Sequence, residues 1–154
     1  MSAVLRFRWQ AGTAVPSAVW PSGTALLPLA SVDPRLLHAI LSEAYATGFG
    51  EVSPFDEWWP ALTGDPDFDP DLLLIAATDD AQPIGLIQCW TSGFIKDLAV
   101  RPDWRGKGIA SALLLTAFGR FRARGIAYVD LKVRANNVAA IALYRRLGMV
   151  PAPL

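Results

Sequence analysis

The segment from Phe94 to Arg124 constrains the fold of this 154-residue chain more than any other. Phe94–Val100 is an apolar run of strand length, and a short loop carries it directly into a helix over residues 108–124. In that helix Ile109, Leu113, Ala117 and Phe121 recur on one face. Arg120, Arg122 and Arg124 gather at its C-terminal end, where they suit the negative pole of the dipole, and Gly125 stops it. Residues 127–133 then read as a strand with Val129, Leu131 and Val133 on one side. Asn136 or Asn137 caps a last helix with the stripe Ala140, Tyr144 and Leu147, which ends at Gly148. Strand, helix, strand in this order requires a crossover and at least one parallel pair, so the chain folds as an α/β domain.

Upstream, Val4–Trp9 and Thr24–Ala30 read as short strands separated by a loop over Gly12–Gly23. Asp33 and Pro34 open a helix whose stripe is Leu36, Leu37, Ile40, Leu41 and Tyr45, and Ser53-Pro54 opens a second through Trp58, Trp59 and Leu62. Residues 65–71 are an acidic loop. Leu72–Ala77 and Pro83–Trp90 are strands joined by a turn at Asp79–Gln82.

Several function classes are excluded early. One Cys (Cys89) cannot form an intramolecular disulfide or a thiolate cluster, and one His (His38) cannot build a multi-histidine metal site, so no metal is expected. Cys89 reads as a small core residue. A net charge of zero argues against a nucleic-acid partner. Mean hydropathy is +0.31, yet no apolar run approaches the roughly 18–20 residues of a membrane helix, and no signal-peptide core follows Met1. The expectation is a single cytoplasmic domain over residues 1–154. Charge is nonetheless asymmetric: eleven acids face three bases before residue 94, and eleven bases face three acids from there on. An anionic ligand therefore favours the second part.

The loop Arg105-Gly106-Lys107-Gly108-Ile109-Ala110 is the chemical centre. Glycines bare its backbone N–H groups at a helix N-terminus, with Arg105 and Lys107 alongside, a geometry that suits a phosphate and equally suits simple turn chemistry. Neither a Walker loop nor a dinucleotide fingerprint is present.

This loop resembles the Arg/Gln-x-x-Gly-x-Gly/Ala motif of the GNAT N-acetyltransferase superfamily. Leu98–Pro102 is similar to that family's fourth strand. Asn137-Val138-Ala139-Ala140-Ile141-Ala142-Leu143-Tyr144 resembles its second motif, with Leu147-Gly148-Met149 in register. The resemblance covers roughly residues 94–150 and implies an acyl-CoA N-acyltransferase fold, a mixed, mostly antiparallel sheet flanked by helices. It also implies an enzyme that moves an acetyl group from acetyl-CoA to a primary amine of a small molecule or peptide, by direct attack in a ternary complex. Leu98, Ala99 and Val100 would then meet the pantetheine arm and thioester, and Arg105, Gly106, Lys107, Gly108, Ile109 and Ala110 the pyrophosphate. Asn137 would hydrogen-bond the arm, and Tyr144 would protonate the departing thiolate.

Asp97 and Glu51 are the candidate general bases, and each reads equally as a structural or surface carboxylate. Strand alternation puts Asp97 with Ile95 and Ala99, opposite Lys96 and Leu98. Val133–Tyr144 is similar to ribosomal-protein N-terminal acetyltransferases, which place a catalytic glutamate where this chain has Lys132. Two prolines in residues 149–154 make a poor inner strand, whereas the family usually has two more strands there. Residues 1–23 are extra, and Val4–Trp9 is expected to pair with the sheet of its own subunit or of a homodimer partner. A non-catalytic acyl-CoA-binding module with the same fold is the alternative.

Overall fold

The computed structural model describes residues 3–14, 16–46, 48 and 50–154, so Met1, Ser2 and Val15 of the N-terminal segment lie outside the described residues. Its elements are β1 (Val4–Gln10), β2 (Thr24–Leu27), α1 (Pro34–Tyr45), α2 (Phe55–Thr63), β3 (Leu73–Thr78), β4 (Pro83–Trp90), β5 (Phe94–Val100), α3 (Ile109–Ala123), β6 (Tyr128–Arg134), α4 (Val138–Arg146) and β7 (Val150–Ala152). The strands form one seven-stranded sheet in the order β2-β3-β4-β5-β6-β1-β7. Among the described residues, only β5 and β6 run parallel, as the crossover through α3 demands. The mixed, mostly antiparallel sheet expected from the sequence is the one observed.

Two apolar layers sandwich the sheet. On one face Phe7, Trp9 and Leu131 pack with Leu113, Phe118 and Phe121 of α3. On the other, Leu37 and Leu41 of α1 and Trp58 of α2 cover Ile75, Leu86 and Ala99. Asp33 caps α1 by accepting from the Arg35 N–H, and Asn137 caps α4 by accepting from the Ala140 N–H. Leu36, which the sequence stripe assigns to the core, is instead 45% exposed; the inward residues of α1 are Leu37, Ile40 and Leu41.

β1 occupies an inner position between β6 and β7, antiparallel to both, with Phe7 opposite Leu131 and Trp9 opposite Val129. The N-terminal segment therefore fills the sheet from within its own chain. The proline-bearing β7 takes the edge, where a missing N–H costs no ladder bond. Asp130 on β6 ties the two strands together: Arg6 donates to Oδ2 at 2.7 Å and Arg8 to Oδ1 at 2.7 Å. Burial opposes the charged carboxylate, but the bonds from Arg8 and Arg6 outweigh it and hold Asp130 below the usual carboxylate range.

A bulge in β5 corrects one expectation from the sequence. Gln88 pairs with Asp97 and Cys89 with Ile95, so Lys96 faces no residue of β4. The extra residue reverses the alternation. Ile95 packs in the α3 layer, while Ala99 packs against α1 and Asp97 bonds to that helix. Asp97 and Ile95 thus lie on opposite faces. Among the described residues, no helix is long and apolar enough to cross a membrane.

Candidate active site

β5 and β6 pair only at Phe94–Asp130 and Ile95–Leu131, and beyond that point the two strands part. On the side away from β4, residues 96–100 therefore pair with no strand among the described residues, leaving an open backbone edge inside the sheet. Two cavities meet at this gap. The larger, about 580 Å³, runs from Leu98, Ala99 and Val100 along the loop before α3 and against α4. The smaller, about 280 Å³, lies between the diverging strands, among Lys96, Asp97, Lys132 and Arg134. Tyr45, Leu98, Asn137 and Tyr144 line both.

The loop owes its shape to Gly106 and Gly108, whose φ values of 73° and 92° lie in the left-handed region. A Cβ at either would meet nothing within 4 Å, so glycine serves backbone conformation and an open approach rather than packing. Among the described residues, no group of the protein accepts from the backbone N–H groups of residues 106–111. Together with the positive end of the 15-residue α3, they form a cradle for an anion. Arg105 lines the cavity, but its Nε donates to the Val100 carbonyl at 3.0 Å, which braces the loop against the end of β5. Lys107 does not line it; its ammonium stands 5.3 Å from the centre of the Trp104 ring.

Tyr144 projects from α4, 7% exposed and tilted against Phe7 with ring centres 6.1 Å apart. Burial pushes its phenol up to about 12, so it keeps its proton at neutral pH. No described residue accepts from its hydroxyl, and the residue lines both cavities. Asn137 spends its Oδ1 on capping α4, and its amide nitrogen stays available to a ligand.

Asp97 is buried, and the Tyr45 hydroxyl donates to its Oδ1 while the Lys96 ammonium sits 3.0 Å from Oδ2. Burial, then the charge of Asp97 and the bond to it, raises the Tyr45 phenol well above its ordinary value. Glu51 is exposed and lines neither cavity, so the structure does not bring the second candidate base to the gap. Tyr45, Trp104 and Arg146 are lining residues not singled out as site residues from the sequence. Tyr45 was hidden as the last member of an amphipathic stripe, and Trp104 stood inside the conspicuous loop. Arg146 carried no signal apart from helical position.

A profile of the acetyltransferase (GNAT) family matches residues 35–149. A mycothiol acetyltransferase of Clavibacter michiganensis is 33% identical over 144 residues, covering 89% of this chain and 46% of that protein. The alanine N-acetyltransferase of ribosomal protein bS18 from Escherichia coli is 43% identical over 58 residues, 38% of this chain and 39% of that one. Among solved structures, a GCN5-related N-acetyltransferase from Sphaerobacter thermophilus superposes with a TM-score of 0.80 at 31% identity, over 97% of this chain and 48% of that one. The chain thus spans about half the length, or less, of these relatives.

Proposed function

Because the chain belongs to the GNAT acetyltransferase family, we propose that it moves an acetyl group from acetyl-CoA to a primary amine in a ternary complex. The observation that carries this reading is the continuous path from the unclaimed amides of residues 106–111, past Tyr144, to the gap between β5 and β6. The cradle fits a pyrophosphate. The open edge of residues 96–100 fits an extended amide-bearing arm, as an added strand would pair. Acetyl-CoA, when bound, supplies the acetyl group as a thioester.

The residues of this chain divide the remaining work. Gly106, Gly108, Ile109 and Ala110 bind phosphate oxygens through their amides, and Asn137 holds the arm. The acceptor enters from the smaller cavity. Asp97 receives the proton that an ammonium must lose before it can attack, and Tyr45 orients that carboxylate. Tyr144 donates to the sulfur as negative charge develops there.

Incubation with acetyl-CoA and a panel of amines tests the reading, with thiol release as the readout. Ligand-induced stabilisation without turnover would instead favour the non-catalytic acyl-CoA-binding module. Gly108→Val is expected to weaken coenzyme A binding at least tenfold, because a branched side chain strains a φ of 92° and covers the amides. Its melting temperature without ligand separates that effect from misfolding, and unchanged affinity would sink the loop assignment. Asp97→Asn is expected to lower kcat/KM at neutral pH by about 10²-fold or more. Activity should recover as rising pH supplies free amine. A loss equal at every pH would make Asp97 a positioning residue.

A further inference from the structure

The cavity between β5 and β6 carries more positive charge than its single carboxylate can balance. Lys96, Lys132 and Arg134 line it with Asp97, and Asp97 is already engaged by Lys96 and Tyr45. Asp130, the nearest acid on β6, is fully used by Arg6 and Arg8. Among the described residues, no acid lies within ion-pair distance of Lys132 or Arg134. These two alternate with the buried Leu131 and Val133, so they share one face of β6, about 7 Å apart along the strand.

The pairing of β1 with β6 sharpens the point. Arg6 stands directly opposite Lys132. Like charges opposed across a ladder destabilise a sheet. Arg6 is held by Asp130, so the unbalanced charges of this face are those of the exposed Lys132 and of Arg134.

We propose that the acceptor is an amine that also bears a carboxylate or phosphate, and that Lys132 and Arg134 bind this anion while the amine faces Asp97 and Tyr144. The inference rests on the acetyl-transfer reading for the role of the amine, but the anion site stands on charge and position alone. An ammonium without a counter-charge meets a repulsive wall here; an anionic amine brings what the wall lacks. The 280 Å³ cavity suits a small molecule.

Calorimetry of the full chain with coenzyme A present tests it on matched pairs: O-phosphoethanolamine against ethanolamine, and β-alanine against its amide. At least one anionic member should bind tenfold or more tightly than its neutral counterpart, and which one distinguishes phosphate from carboxylate. That advantage should shrink with added salt and vanish in the double variant Lys132→Gln, Arg134→Gln. The melting temperature of the double variant should hold or rise, since a like-charge pair is relieved. Equal binding within both pairs, or an advantage that survives the double variant, overturns the proposal. Thiol release with the same amines is a separate readout: anion-selective binding without turnover would refute acetyl transfer and leave the anion site standing.

Discussion

Tyr144→Phe is expected to lower kcat by roughly 10- to 10³-fold while leaving coenzyme A affinity unchanged. The ring stays, so the contact with Phe7 and the buried position in α4 persist; only the donor goes. The acidity of the phenol bears on how it would act. An ordinary thiol titrates near 8.5, and burial holds Tyr144 at about 12. Complete proton transfer to a free thiolate would thus be unfavourable by about 5 kcal/mol. On the proposed reading the hydroxyl would act chiefly by holding a hydrogen bond to the sulfur as charge builds, in a site where one well-placed donor contributes several kcal/mol. The same acidity means that no alkaline fall in kcat below about pH 10 should belong to Tyr144, because its proton is retained throughout that range. Steady-state rates of the variant across pH, with an identified acceptor, check both statements. Wild-type kcat in the variant would make Tyr144 a packing residue.

The parts of this site that were legible in sequence are those written locally. The loop from Arg105 to Ala110, the cap at Asn137 and the strand–helix–strand order all depend on contacts between near neighbours, and each appears where the residues place it. The face of Asp97 was not legible, because a bulge adds one residue without changing composition or periodicity. Tyr45 reaches Asp97 across 52 positions, a contact that no local pattern records. Its apolar ring satisfied the helix stripe, which concealed the polar end. The partners of β1 were open for the same reason: the residues of Val4–Trp9 announce a strand, but nothing in them names β6 and β7. Lys107 shows the converse limit: its place in the motif speaks for its backbone amide, and nothing local told that its side chain would turn toward Trp104.

Trp9→Ala is expected to destabilise the protein by about 3–5 kcal/mol, a large share of the roughly 5–15 kcal/mol that holds a domain of this kind together. Trp9 is fully buried, stacked on Phe118 with ring centres 4.6 Å apart and planes 2° from parallel. Arg122 covers the indole at 5.2 Å and donates to the carbonyls of Ala11 and Thr13, so the end of α3 also clamps the chain leaving β1. Removing residues 1–10 should go further. Among the described residues β7 pairs only with β1, and β6 would lose its antiparallel neighbour together with both guanidiniums that satisfy Asp130. A buried carboxylate stripped of its partners is costly in itself, and two strands with open edges invite association. The truncated chain should therefore show no cooperative unfolding and should aggregate, whereas Trp9→Ala should unfold cooperatively at lower denaturant. Equilibrium denaturation and light scattering decide the matter. If truncation left the midpoint and the oligomeric state unchanged, β1 would not be part of the sheet in solution.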